Sequence, residues 1–274
     1  MKIVILTGDQ QRHLALVSYL ASEDHDICAV YIEHGYTPPS QKNALSQRST
    51  VGRHFMMRGL SEGRIFASLV SQMEARLQSS TQIKHVPYLS LRGDDFCDHI
   101  SLLSPDLIVV YGTSIIKGKL VSTFSGRILN LHLGLSPYYR GSGTLLFPFV
   151  NNENQYAGST FMLLDNGIDT GPILHQEVMF PDLDATFYDN CNLFIYQSFL
   201  KYSKLVKKIC LVIEEAKEAR KEFTWSRRPR RYYKDSDFDD KALLRLYENY
   251  SLLQLKRESM VLGINPVILK SSYL

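Results

Sequence analysis

Apolar residues arrive along this chain first as short unbroken runs and later as one long helical stripe. Lys2–Leu6, Ile27–Ile32, Leu107–Tyr111 and Arg127–His132 are each rich in Ile, Val and Leu. Runs of this length, bounded by Gly, Pro or Asp, predict strands buried on both faces. After the first of them His13, Leu14, Leu16, Val17 and Leu20 recur at helical spacing. Strands and helices that alternate in this way predict an α/β fold whose sheet is mostly parallel and covered on both sides. In such sheets the ligand crevice lies beyond the carboxyl ends of the strands. The places to look for chemistry are therefore Thr7–Arg12, Gly112–Ile116 and His132–Gly143.

The second half changes character. From Asp184 to about Glu222, Phe187, Cys191, Phe194, Ile195, Tyr202, Leu205, Ile209 and Val212 recur at intervals of three and four. This predicts a single long helix, capped by Asp184, with its apolar stripe laid across the sheet. A further helix is predicted over 240–259, then strand or coil over 263–269. Residues 36–60, with Pro38, Pro39, Ser40, Gln41, Ser46 and Ser49, read as an exposed excursion, an insertion rather than a lid. Arg227, Arg228, Arg230 and Arg231 surround Pro229, with Trp225, Tyr232 and Tyr233 interleaved. Phosphate contact and base stacking would suit such a segment. A solvated connector or a dimer contact is the simpler expectation.

Composition narrows the class. The chain has 274 residues, 45% apolar and 22% charged, with a net charge of only +3. Those are ordinary values for a soluble globular protein, and no global field demands a nucleic-acid or membrane partner. No apolar stretch approaches the ~18–20 residues of a membrane span. Cys28, Cys97, Cys191 and Cys210 show no paired spacing and are expected reduced and buried, which points to a cytoplasmic location. His13, His25, His34, His54, His85, His99 and His175 show no metal-ligand spacing, and no metal is expected.

Candidate chemistry is concentrated in Asn130-Leu131-His132-Leu133-Gly134-Leu135-Ser136-Pro137-Tyr138-Tyr139-Arg140-Gly141. Strand alternation points Asn130 and His132 the same way, at the carboxyl end of a strand. An amide beside an imidazole suits a carbonyl oxygen that gains negative charge. The same pair would equally satisfy backbone groups at a strand end. A second stretch changes the balance. Tyr156–Leu164 and Ile173–Phe180 read as a hairpin around Asp165-Asn166-Gly167-Ile168-Asp169-Thr170-Gly171-Pro172. One of the two carboxylates there is expected to bond its own turn, leaving the other to meet His132. A carboxylate beside an imidazole orients the ring and favours its protonated form. Amide, imidazole and carboxylate together form a set for acyl transfer.

These motifs, with Val109-Val110-Tyr111-Gly112 and Ile115-Ile116 upstream, resemble the 10-formyltetrahydrofolate-dependent formyltransferases over roughly residues 1–180. The resemblance implies a Rossmann-like, mostly parallel sheet (the formyltransferase fold) as a catalytic domain over 1–183, with a C-terminal helical extension over 184–274. It implies catalytic roles for Asn130, His132 and Asp169, and 10-formyltetrahydrofolate as co-substrate. The folate would sit on Gly112, Thr113, Ser114, Ile116, Leu164, Asp165, Asn166, Gly167 and Ile168, held largely by backbone groups. One departure stands out: Leu133 and Gly134 replace the proline and serine usual after the histidine, which puts the path of that loop in question.

Within the family the acceptor separates the branches. A methionyl-tRNA formyltransferase carries a C-terminal domain of about 100 residues, a formyltetrahydrofolate hydrolase an N-terminal one, and the glycinamide ribonucleotide enzyme a small Gly-rich turn after its first strand. Here about fifty residues follow Trp225, the sheet starts at Lys2, and the first turn is the bulkier Thr7-Gly8-Asp9-Gln10-Gln11-Arg12. The pattern is most similar to the sugar N-formyltransferases of bacterial surface-polysaccharide pathways. An amino sugar, free or nucleotide-linked, is thus the expected acceptor, with Asp9, Gln11, Arg12, Tyr139 and Arg140 as the residues that grip it. Arg140 would otherwise brace its loop, and Asp9 and Arg12 would otherwise form a solvated helix start. The basic segment would serve an anionic nucleotide tail only as a further alternative. A homodimer through the C-terminal third, with neither nucleic acid nor membrane as partner, completes the expectation; hydrolysis of the same folate and a non-sugar amine are the alternatives.

Overall fold

The computed structural model describes residues 1–23, 25–37, 49–222, 231–255 and 266–274. Among them the strands, in chain order, are β1 (Lys2–Gly8), β2 (Asp26–His34), β3 (Gln82–Pro87), β4 (Leu107–Tyr111), β5 (Ile128–His132), β6 (Tyr139–Gly141), β7 (Gly158–Leu163), β8 (Ile173–Val178) and β9 (Arg231–Tyr233). Seven of them form one sheet in the order β3-β2-β1-β4-β5-β7-β8, and β6 pairs with β9 apart from it. Strands β1 to β5 are mutually parallel, and the β7–β8 hairpin adds to β5 in antiparallel fashion. The helices are α1 (Gln11–Ser22), α2 (Thr50–Ser71), α3 (Met73–Arg76), α4 (Asp94–Leu103), α5 (Lys119–Thr123), α6 (Phe147–Val150), α7 (Phe187–Lys207), α8 (Ile209–Glu222) and α9 (Asp240–Leu255).

The unbroken apolar runs are explained by burial on two sides. All five residues of β4 are buried, and alternate residues enter different cores. Ile3, Ile5, Val109, Tyr111 and Leu129 join one core with Leu16 of α1, Phe66 of α2 and Phe199 of α7. Val4, Leu6, Ile108, Val110 and Ile128 join the other with Cys97 and Ile100 of α4 and Leu120 of α5. The chain runs outward from β1 through β2 to β3, then returns to β4 on the far side of β1. That reversal opens a crevice between the carboxyl ends of β1 and β4.

Several expectations need correction. Residues 36–60 are not one exposed insertion: Ser49 caps α2, its side chain accepting from the Gly52 N–H, and Val51 and His54 are buried. The remainder of that stretch, 38–48, lies outside the described residues. The long helix breaks at Lys208 into α7 and α8, and its cap is Thr186, whose side chain accepts from the Asp189 N–H, not Asp184. Neither Pro nor Gly marks the break, and the apolar stripe passes through it, with Ile209 and Val212 still in the core. Strand β3 escaped notice because it is an edge strand with the mixed sequence QIKHVP. Cys97 and Cys191 are buried free thiols, whereas Cys28 is half-buried and Cys210 is exposed. No helix among the described residues is long and apolar enough to cross a membrane.

Helix α7 is joined to the sheet by polar contact as well as packing. The buried Tyr202 hydroxyl donates to the Leu129 carbonyl at 2.6 Å. Phe199, fully buried, meets the rings of Phe66 and Tyr111 edge-on or tilted, each with centroids 6.0 Å apart. Removing that ring leaves a cavity between α7, α2 and β4. Phe199→Ala is therefore expected to lower unfolding stability by about 3–5 kcal/mol in chemical denaturation; a loss under about 1 kcal/mol would mean α7 is not anchored there.

Candidate active site

Beyond the carboxyl ends of β1, β4 and β5 lies a cavity of about 530 Å³. It reaches around the strand ends onto both faces of the sheet. Val110, Asn130 and His132 line it from the face of α4 and α5, while Tyr111 and Leu131 line it from the face of α1 and α7. Strand alternation alone creates this division. Two lobes thus meet where β5 ends.

The first lobe is walled by the loops that follow β4 and β7. The buried Glu33 carboxylate at the end of β2 accepts from the Ser114 backbone N–H at 2.5 Å, the Ser114 hydroxyl at 2.7 Å and the Leu89 N–H at 2.7 Å. The two loops are tied together where the Gly118 N–H donates to Asn166 Oδ1 at 3.0 Å. Asp165 is the turn residue expected of one hairpin carboxylate: its Oδ1 accepts from the Gly167 N–H at 2.9 Å and the Thr170 hydroxyl at 2.7 Å.

The other carboxylate meets the histidine. Asp169 Oδ1 lies 3.3 Å from His132 Nδ1, and its Oδ2 accepts from the Gly141 N–H at 2.8 Å. Asp169 itself holds φ at +50°, a left-handed conformation that costs free energy outside glycine and clusters at functional sites. His132 Nε2 stands 3.1 Å from the Tyr139 carbonyl. Both ring nitrogens therefore face acceptors. Asn130 shares its strand face and borders the cavity, half-buried.

The departure after the histidine has a steric reason here. A Cβ on residue 134 would come within 2.5 Å of His132 Nε2 and 2.7 Å of Thr144 Oγ1. Glycine leaves that volume to Thr144, whose hydroxyl donates to the Leu133 carbonyl at 2.6 Å and lies 3.5 Å from His132 Nε2. A cis Ser136–Pro137 peptide follows, and the chain then enters β6. That strand is braced by β9 in the register Tyr139↔Arg231 and Gly141↔Tyr233, and the Tyr233 ring stacks on Phe147 with centroids 3.6 Å apart.

The second lobe is polar. Glu62 of α2 accepts from Arg12 Nη1 at 2.6 Å and from Arg58 Nε at 2.9 Å, and Arg58 also donates to Gln10. His13 sits between Gly8 and Gly112, where a Cβ on either glycine would fall about 2.5 Å or less from its ring. Burial, then the charges of Arg12 and Arg58, push His13 well below the usual histidine range. The same forces push His54, whose Nδ1 is 2.9 Å from the Tyr188 hydroxyl, down to about 3. Both rings are neutral at pH 7.

Of the residues expected to hold folate, Gly112, Thr113, Ser114, Ile116, Leu164, Gly167 and Ile168 line the cavity, whereas Asp165 and Asn166 shape its loops. Of those expected to grip the acceptor, Arg12 alone lines it. Asp9 and Gln11 are exposed outside it, and Arg140 is half-buried and does not line it. Tyr139 is fully buried, its hydroxyl donating to Glu153, which in turn binds Arg231 at 2.7 Å; it braces the loop rather than reaching a ligand. The sequence offered no clear sign of His54, Arg58 and Glu62, although Arg58 and Glu62 stand at i, i+4 on a helix, a spacing usually found on surfaces. It also placed Arg227–Lys234 as a connector. Residues 223–230 lie outside the described residues, but Tyr232, Tyr233 and Lys234 form part of the cavity wall. Among the described residues, no three His, Cys, Asp or Glu side chains gather as a metal site.

Comparison with known proteins places this geometry. The methionyl-tRNA formyltransferase of Finegoldia magna is 33% identical over 87 residues, 31% of this chain and 27% of that protein. The chain thus matches under a third of the length of that curated relative. A sugar N-formyltransferase from a Shewanella species superposes with a TM-score of 0.53 at 17% identity, covering 90% of this chain and 87% of that one. The N-formyltransferase of Helicobacter canadensis, solved with folinic acid and dTDP-3-aminofucose, gives a TM-score of 0.51 at 16% identity, covering 90% and 80%. At such identities the likeness is one of fold. A family model described as formyl transferase matches residues 1–186, from the first strand through the hairpin that carries Asp169. Because that match takes in well over half of its length, the chain belongs to the formyl transferase family.

Proposed function

We propose that this protein transfers the formyl group of 10-formyltetrahydrofolate to the amine of an amino sugar, free or nucleotide-linked, of the kind used in bacterial surface polysaccharides. The observation that carries the reading is the His132–Asp169 pair, 3.3 Å apart, beside Asn130 where two lobes of one cavity meet. The first lobe suits a flat heterocycle: Val110, Ile116, Leu164 and Ile168 offer apolar walls, and the loop 112–114 offers backbone groups to its polar edge. The second lobe suits a small polyhydroxylated amine, with Arg12, Arg58 and Asn192 on its walls. The Helicobacter canadensis structure, which pairs a folate with an amino-sugar nucleotide on this fold, supports the same combination.

The folate supplies an activated formyl carbon. The chain's own groups do the rest. The Asn130 amide donates to the formyl oxygen as it gains negative charge, and a protonated His132 adds a second favourable charge there. Asp169, anchored by the Gly141 N–H, keeps the imidazole in one orientation. The Asp169 carboxylate takes the proton that the amine nitrogen loses as it bonds the formyl carbon, directly or through one water. When the tetrahedral intermediate collapses, a proton passes to the folate nitrogen as its bond to that carbon breaks, releasing tetrahydrofolate and the formamide. The apolar walls of the first lobe keep bulk water from competing with the amine.

Asn130→Ala and His132→Ala are each expected to lower turnover at least about a hundredfold. Calorimetric affinity for tetrahydrofolate should stay within about threefold in both. Near-normal turnover in either variant would refute the assignment. The acceptor is tested by following folate release with a panel of amino sugars, against methionyl-tRNA and a no-amine control. Turnover with an amino sugar alone is the expected result. Turnover with methionyl-tRNA alone would replace the sugar, and equal formate release without any amine would make the protein a hydrolase.

A further inference from the structure

Among the described residues, the second lobe carries a positive charge in excess. Arg12 and Arg58 converge on a single carboxylate, Glu62, whose side chain is 7% exposed; theirs are 14% and 26% exposed. Two guanidinium groups against one carboxylate leave a net charge of about +1 within a partly enclosed cavity, where an unpaired charge is costly. Burial, and next Arg12, press Arg58 down to about 10, so it remains charged at neutral pH. The nearby His13 and His54 are neutral and add no charge of their own. All three charged groups line the cavity.

A second, independent feature points the same way. The buried Nδ1 of His13, another lining residue, has no hydrogen-bond partner among the described residues. Buried polar nitrogens in native structures are nearly always satisfied, so an orphan bordering a cavity marks a place for a ligand atom. His13 is fixed there by shape: any side chain at Gly8 or Gly112 would strike its ring. Gln10, which accepts from Arg58, holds that guanidinium against the start of α1.

We infer that Arg58 and Arg12, held by Glu62 and accompanied by His13, form a subsite for an oxyanion carried by the acceptor, a phosphoryl group or a carboxylate. This deepens the proposed function, since it makes the acceptor an anionic amino sugar. Arg58 becomes a specificity-determining residue, and Glu62 a positioning residue that spaces the two guanidiniums. Guanidinium groups are suited to either anion through paired N–H donors. Asp235 and Lys234, also on the cavity wall, carry opposite charges and leave the local excess unchanged.

The test uses the whole protein. Specificity is read as kcat/KM for an amino sugar bearing phosphate, one bearing a nucleoside diphosphate, an amino-uronate and a neutral amino sugar, with 10-formyltetrahydrofolate as donor. Wild type should prefer at least one of the anionic acceptors, and which one it prefers identifies the source of the charge. Arg58→Met should shrink that preference about thirtyfold or more, the usual loss when a buried charge partner is removed. Arg58→Lys should restore part of it. A neutral acceptor used as well as the anionic ones, or an unchanged preference in Arg58→Met, would overturn the subsite while leaving formyl transfer intact. Should that variant fail to fold, inorganic pyrophosphate decides with wild type alone. It should bind below about 1 mM by calorimetry, in the ordinary substrate range, and compete with tetrahydrofolate weakly or not at all. No binding would overturn the subsite. Because this measurement needs no turnover, it separates failure of the subsite from failure of the transferase reading.

Discussion

The site depends on the backbone of one three-residue strand. The carbonyl of Tyr139 meets His132 Nε2, and the N–H of Gly141 meets Asp169 Oδ2, so β6 holds both His132 and Asp169 from one side. Backbone groups of a paired strand cannot swing as side chains do, which makes them rigid supports for a catalytic geometry. The strand owes its place to β9, whose Arg231 N–H donates to the Tyr138 carbonyl at 2.7 Å, and to the Tyr139–Glu153–Arg231 connection behind it. A segment more than sixty residues downstream of Asp169 thereby stabilises the loop that orients the His132–Asp169 pair.

The sheet supplies a second constraint. Because successive side chains of β4 and β5 point to opposite faces, a cavity at their ends opens toward both helical layers. Asn130 and His132 look into the lobe walled by the loops after β4 and β7, while Tyr111 and Leu131 border the lobe walled by α1, α2 and α7. On the proposed reading, donor and acceptor would approach one carbon from two lobes of that single cavity. The polarity of the lobes follows from what walls them. Backbone and apolar side chains form the first, and three charged groups from α1 and α2 form the second.

Glycines and small residues make the close approaches possible at the seam. Gly134 leaves room for Thr144 beside His132, and Gly8 and Gly112 leave room for His13 at the switch between β1 and β4. Each of these positions would be overfilled by a single methyl group. The departure from the usual loop after the histidine is therefore a local exchange of volume, with the Thr144 hydroxyl occupying the space that a side chain on residue 134 would need.

Much of this protein was legible in its residues, for identifiable reasons. The parallel strands β1, β2, β4 and β5 announced themselves because burial on two faces demands continuous apolar sequence, and the β7–β8 hairpin because its turn needs Asn, Gly and Asp. Asn130, His132 and Asp169 stood out because acyl chemistry needs those functional groups near a strand end, and the fold brings all three to one cavity. What the sequence could not show were contacts between segments that have no local signature. Arg58 and Glu62 look like a surface helix pair until α2 packs against α1 and α7 and turns them into the cavity wall. Arg231–Tyr233 looks like a solvated linker until it pairs with β6. Tyr139 looks like a ligand contact until the fold buries it. Local pattern determines which face of an element is apolar and what a turn can do; only the packing of distant elements decides which polar groups end up sharing a cavity, because that depends on free energies summed over contacts far apart in the chain.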